Sequence, residues 1–157
     1  MIVIDYNQVA IGAFMAEVRG RTDVEINLPL LRHMIVNTIR SYNKKHREEY
    51  GDLIIACDNR HYWRRKEFPF YKASRKATRE SSGLDWNNIF DTLNMVRDEL
   101  TEVFPYPVID VDGAEADDII DTLTPIYAGD DNKILILSSD GDFLQLQMYK
   151  NVKQYNP

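Results

Sequence analysis

The 157-residue sequence predicts one α/β domain, a mainly parallel sheet with helices on both faces, and three observations carry that expectation. Four short aliphatic runs read as buried strands: Ile2 to Ile4, Leu53 to Cys57, Tyr106 to Val111 and Lys133 to Leu137. Between them apolar residues recur at helical spacing, and alternating strands and helices imply crossover connections. Each of the four runs is followed by acids.

Taken in order, Ile2-Val3-Ile4 gives a first strand that meets Asp5 at once. Leu28, Leu31, Ile35, Ile39 and Tyr42 then mark one face of a helix, and Leu53 to Cys57 gives a second strand closed by Asp58. Residues 60 to 84 break the rhythm and read as an insertion between that strand and its crossover helix, which Trp86, Ile89, Leu93, Val96 and Leu100 define. Loops of this length inside a compact domain are uncommon, and where ordered they usually carry function. The third strand is trailed by Asp110 and Asp112, the next helix by Ile119, Leu123 and Ile126, and the fourth strand by Asp140 and Asp142. No internal repeat is present.

A hydrophobic content of 44% with 11% aromatics supports a folded core. The net charge of -6 argues, as an average, against nucleic acid, since phosphate contact is dominated by Lys and Arg. The average hides a dipole. Between Arg60 and Arg79 stand eight cations against Glu67, so this stretch carries +7 and the remainder -13. The single cysteine, Cys57, excludes an internal disulfide and reads as a small buried strand residue. The start has no basic leader, and no apolar run approaches the roughly 20 residues of a membrane span, so a reducing cytoplasm is the expected location.

In a parallel sheet, ligands bind outside the carboxyl ends of the strands. Asp5, Asp58, Asp140 and Asp142 fall there, and Asp112-Gly-Ala-Glu115-Ala-Asp117-Asp118 opens a helix just past the third strand. Convergent carboxylates repel unless a cation compensates them. With no His or Cys in the set, all-oxygen donors point to hard Mg²⁺ or Mn²⁺, and a pair of such ions is the machinery of phosphodiester hydrolysis. Singly, each acid has an ordinary reading: Asp112 with Glu115 as a capping box, Asp140 with Asp142 as a capped turn, Asp5 or Asp58 as a solvated loop acid. Jointly, those readings do not explain four acidic strand ends. Asp110, Asp121, Asp130 and Asp131 are left to ordinary surface roles.

The insertion interleaves its cations with Tyr62, Trp63, Phe68, Phe70 and Tyr71, a composition suited to a single-strand channel in which cations track the backbone and rings stack on bases. The alternative is a solvated positive face whose rings fold inward, and Trp63 and Phe68 are the two expected in the core. If the segment is helical, Lys72 and Arg79 share a face.

Ile4-Asp5-Tyr6-Asn7-Gln8, Cys57-Asp58-Asn59, Tyr62-Trp63-Arg64-Arg65, Phe70-Tyr71-Lys72, Glu115-Ala116-Asp117-Asp118, Ser138-Ser139-Asp140-Gly141-Asp142-Phe143 and Asn151-Val152-Lys153-Gln154 resemble the flap endonuclease and 5′ exonuclease superfamily, in its ribonuclease H branch from T-even-type bacteriophages. The resemblance spans the whole chain in the family's order. It implies a PIN-like fold and two Mg²⁺ ions, replaceable by Mn²⁺, with residues 60 to 84 as an arch over a 5′ single strand. It further implies Asp5, Asp58, Glu115 and Asp117 as the first metal group, Asp118 beside them, and Asp140 and Asp142 as part of the second. Lys72 and Arg79 match the cations that grip the scissile phosphate, Tyr71 the stacking ring and Arg64 an auxiliary phosphate contact. Arg65, Arg75 and Lys76 join them in the nucleic-acid surface. Substrates implied are branched or primed DNA and RNA–DNA hybrids, cut during removal of RNA primers or 5′ flaps. Partners implied are a replication clamp, a single-strand binding protein, or a separate polypeptide carrying the family's helical duplex-binding region. That region, with a further metal-binding Asp, lies beyond the point matching Pro157, so the chain alone is expected to hold one ion well and a second poorly, with weak cleavage. A DNA-junction binder without catalysis is the alternative from another class. A receiver-like phosphotransfer domain is disfavoured by the cationic arm.

Overall fold

The computed structural model describes residues 1–18, 27–129 and 132–157. Five parallel strands form one sheet in the order β3-β2-β1-β4-β5: β1 (Ile2–Asp5), β2 (Leu53–Cys57), β3 (Val108–Asp110), β4 (Ile134–Leu137) and β5 (Val152–Tyr155). Helices connect them: α1 (Tyr6–Val18), α2 (Leu28–Tyr50), α3 (Trp63–Glu67), α4 (Ala73–Ser81), α5 (Trp86–Val103), α6 (Ala116–Ala128) and a 3₁₀ helix (Gly141–Met148). The expected α/β class with a parallel sheet is what the chain adopts. The described residues contain no helix long and apolar enough to cross a membrane.

The alternation of each strand divides its residues between two cores. Ile2 and Ile4, Leu53, Ile55 and Cys57, and Leu135 and Leu137 pack on one face with α1, α2 and α5. Val3, Ala56, Ile134 and Ile136 pack on the other with α6 and the 3₁₀ helix. Burial pushes the Cys57 thiol up to about 12, so it behaves as a small apolar residue. Register between β1 and β2 runs from Ile2 opposite Leu53 to Asp5 opposite Ala56, which brings Asp5 and Asp58 to the same edge.

Local signals set the helix starts. Asn27 accepts the Leu30 N–H at 3.0 Å ahead of α2, and Asp85 accepts that of Asn88 at 3.2 Å ahead of α5. Inside the larger core the buried Tyr6 hydroxyl donates to the Leu93 carbonyl at 2.6 Å, tying α1 to α5. Tyr6→Phe is expected to lower stability by about 1 kcal/mol, measured as a fall of roughly 2–4 °C in Tm.

Three expectations change. The third strand is only Val108–Asp110, with Val111 exposed. α1 and β5 had no clear pattern in the sequence, because α1 is apolar around most of its circumference and β5 is a four-residue edge strand carrying Lys153 and Gln154. Trp63 and Phe68 are not core: they stand 51% and 57% exposed, since no residue of α3 or α4 is buried and the insertion offers no interior to receive them. Asp130 and Asp131 lie outside the described residues.

Candidate active site

The strand order reverses at β1, whose neighbours β2 and β4 lead in opposite directions, and the crevice above such a point is where α/β sheets bind ligands. A cavity of about 600 Å³ opens there. Its floor carries Asp5, Asp58, Glu115, Asp117 and Asp140, and its wall Arg60, Lys72, Arg75 and Arg79 from the insertion.

Asp5 ends β1, and one of its oxygens accepts the Gln8 N–H at 3.2 Å. Burial pushes its carboxyl up to about 7, against that hydrogen bond and with help from the charges of Asp58, Asp117 and Asp140. Asp58 is fixed at both oxygens, by the Asn7 amide at 2.7 Å and by the Ala116 backbone N–H at 2.8 Å. Asp117, in the first turn of α6, is raised to about 6 by burial, with Lys72 opposing and Asp140, Asp58 and Glu115 adding. Asp140 follows β4, and its side chain accepts the Asp142 N–H at 3.0 Å while its carbonyl accepts from Gln154 at 2.6 Å. Gln8 spans from α1 to Ser139, accepting its N–H at 2.7 Å, which locks the loop after β4 to the end of β1.

Glu115 is the most buried acid among the described residues, 1% exposed, and caps α6. Its two oxygens take Lys72 Nζ at 2.7 Å and Arg64 Nη1 at 2.9 Å. Arg64 also bonds Asp118 at 2.8 Å, and Asp118 accepts the Glu115 N–H at 2.9 Å. Burial would raise Asp118, yet the bonds from Arg64, Glu115 and Trp63 outweigh it and hold this carboxyl below its usual range. The cap of α6 therefore pairs Glu115 with Asp118, in place of the Asp112–Glu115 box read from spacing. Asp112 is exposed and outside the cavity, because Gly113 at φ 83° turns the chain away after it.

The insertion is anchored beside the acids. Tyr62 bridges to Gly113 in parallel fashion, and Trp63 donates its backbone N–H to the Gly113 carbonyl at 2.9 Å. Lys72 adopts the left-handed conformation at φ 54°, uncommon for a residue with a side chain and worth of order 1 kcal/mol of strain, held by its ion pair with Glu115. It stands before α4, so the helical face expected to join Lys72 with Arg79 does not exist; the two meet at the cavity through the turn instead. The Tyr71 ring packs edge-on to Tyr62 at 5.9 Å, with Lys72 Nζ 5.1 Å from its centroid.

Not every expected residue reaches the cavity. Asp142 is exposed and faces a neighbouring depression with Arg64, Tyr71, Asp117 and Asp121. Arg65 and Lys76 point to solvent, Lys76 standing 3.9 Å from Glu80. Asp110 keeps its ordinary role, accepting from Asn59 at 2.7 Å and standing 3.4 Å from Arg97. Asn7 and Gln8 are positioning groups that no charge or period singled out; the motif Ile4-Asp5-Tyr6-Asn7-Gln8 contains them, but their roles come from the contacts with Asp58, Asp5 and Ser139.

Among the described residues no three acids, histidines or cysteines close on a common point as a ready cage. Lys72 and Arg64 supply the neutralising charge at Glu115. The donor set nevertheless suits a hard divalent cation: oxygen-only, partly buried, and with two carboxyls pushed up by burial and, less, by neighbouring carboxylates.

The N-terminal resolvase-like domain of 5′-3′ exonucleases matches residues 1–156. The chain is 40% identical over 158 residues to the ribonuclease H of Enterobacteria phage T4, an alignment covering 99% of this chain and 51% of that protein. It therefore spans about half the length of this relative. Its fold is that of the bacteriophage T5 5′-exonuclease with bound divalent zinc (TM-score 0.69, 18% identity, 99% of this chain and 54% of that one). It is equally that of the bacteriophage T5 flap endonuclease in a pseudo-enzyme-product complex with DNA and metal ions (TM-score 0.70, 18% identity, 98% and 53%).

Proposed function

The chain belongs to the 5′-3′ exonuclease family through its N-terminal resolvase-like domain, and from that premise we propose that it forms the catalytic half of a metal-dependent 5′ nuclease. Its reaction is hydrolysis of phosphodiester bonds that removes RNA primers or 5′ flaps from branched or primed DNA. The observation that carries this reading is one cavity lined by five carboxylates and by four cations, Arg60, Lys72, Arg75 and Arg79. Such a site repels a phosphodiester from below and attracts it from the side until positive charge is added to the floor.

Asp5, Asp58, Glu115 and Asp117 would hold a first Mg²⁺, with Asp118 adjoining, and Asp140 with Asp142 would contribute to a second; Mn²⁺ meets the same donors. Bound there, such ions supply Lewis acidity and a lowered water pKa for attack on phosphorus. The chain's own groups do the positioning. Asn7 and the Ala116 N–H orient Asp58, and Gln8 orients Asp5 and the loop of Asp140. Lys72, Arg75 and Arg79 face the cavity and donate to phosphate oxygens, while Tyr71 and the exposed Phe68 and Phe70 offer rings to unpaired bases.

A 5′-labelled flap incubated with the chain in Mg²⁺, Ca²⁺ or EDTA tests the reading. Short labelled product in Mg²⁺ and Mn²⁺, binding without product in Ca²⁺, and no product in EDTA are expected. A gel shift without product in Mg²⁺ and Mn²⁺ would make the chain a junction-binding module.

A further inference from the structure

Arg79 differs from Lys72 and Arg64, the two cations paired to the acidic floor, and from Arg60 and Arg75 in being held by aromatic rings. Lys72 and Arg64 are paired to Glu115, but among the described residues Arg79 pairs with no carboxylate and its side chain donates no hydrogen bond. Its partners are rings. The guanidinium carbon lies 4.7 Å from the Phe90 centroid and 5.4 Å from that of Trp86. Those two rings stand one turn apart on α5, 5.7 Å between centroids, so they form one aromatic surface. Trp86 is fixed in turn: its indole N–H donates to Ser82 Oγ at 2.8 Å, and that hydroxyl donates to the Arg79 carbonyl at 2.6 Å.

This arrangement closes a small loop of contacts in which the backbone of Arg79 is tied to the indole that supports its own side chain. A guanidinium held over π faces keeps its in-plane N–H groups unspent, and those are the groups that bind phosphate oxygens. α4 has no buried residue of its own, so this contact also fixes where the last turn of α4 stands relative to the cavity.

Building on the nuclease reading, we propose that Trp86, braced by Phe90 and Ser82, is a positioning residue that holds Arg79 on the cavity wall with its donors free for a phosphate of the 5′ single strand. Trp86 itself lines the outer groove behind Arg79, and only Phe90 of the pair reaches the cavity, so the indole acts through Arg79.

The test uses the full chain and a DNA with a 5′ single-stranded arm, bound in Ca²⁺ over a salt series. Each single-strand phosphate contact contributes about 0.7 to the slope of log K against log salt. Arg79→Ala and Trp86→Leu are each expected to lower that slope by about 0.7, the double variant by no more than either, and Trp86→Phe by little, since it keeps a ring face. A role confined to packing would lower Tm and leave the slope unchanged. Trp86→Leu with the wild-type slope, or a double variant that loses about 1.4, overturns the proposal. If Trp86→Leu does not fold, Phe90→Leu is read by the same criteria. Wild-type chain without salt-dependent binding would instead sink the nuclease reading.

Discussion

Asp5→Asn is expected to abolish cleavage while making the metal-free chain more stable. Asp5 is largely buried, and burial with the charges of Asp58, Asp117 and Asp140 lifts its folded pKa from an ordinary 3.8 to about 7. A carboxyl raised on folding binds more protons in the native state than in the unfolded one. Its neutral form is fully accommodated below pH 3.8, stability is lost as pH rises from there to about 7, and above pH 7 the whole cost of the buried charge is present. A shift of this size corresponds to up to about 4 kcal/mol. Asn has nearly the same shape and no charge, so the variant should unfold at higher Tm at pH 8, with the gap shrinking toward pH 4. Cleavage should fall by at least about 100-fold, since even groups that only orient a metal ligand cost 10- to 100-fold when removed. DNA binding, carried by the cations of the insertion, should persist. Equal Tm values at pH 8 in EDTA would show that Asp5 is not under electrostatic strain; lost DNA binding would show that it does more than bind metal.

The second large effect has the opposite sign. Glu115 is almost fully buried and is neutralised by Lys72 and Arg64 together. Removing one leaves the other in place, and each is partly solvated, so the single variants Lys72→Ala and Arg64→Ala should be mild. Arg64→Ala/Lys72→Ala leaves a buried charge with no cation beside it, only the backbone N–H of the helix cap, a defect of about 3–5 kcal/mol, or on the order of 10 °C in Tm for a domain of this size. A divalent cation that binds the folded floor restores stability by mass action. The Tm gained on adding Mg²⁺ or Ca²⁺ should therefore be larger in the double variant than in wild type. Additive single effects with no cation rescue would mean that Glu115 is a structural cap and not a metal ligand.

Both predictions start from acids that were visible as letters. Asp5, Asp58 and Asp140 follow aliphatic runs, and a parallel sheet sends the carboxyl ends of its strands to one edge, so topology alone brings them to one rim. Glu115 and Asp117 were equally legible in the turn that opens α6. The charge dipole was legible too, because a +7 stretch inside a chain of -6 survives any folding.

The sequence by itself determined the strands that bury on both faces, the parallel sheet they imply, and the carboxylates at its edge, since those depend on local periodicity and residue chemistry. Only the tertiary structure decided how each charge is used. It spent Asp118 on Arg64 and the helix cap, left Asp112 and Asp142 outside the cavity, and set Trp63 and Phe68 in solvent, on an insertion whose helices α3 and α4 bury no residue. It also joined Arg79 to Trp86 and Phe90, which sit seven and eleven positions away on another helix. Pairings of this kind depend on which elements lie side by side, and a charge or a ring has no periodic signature that announces its partner.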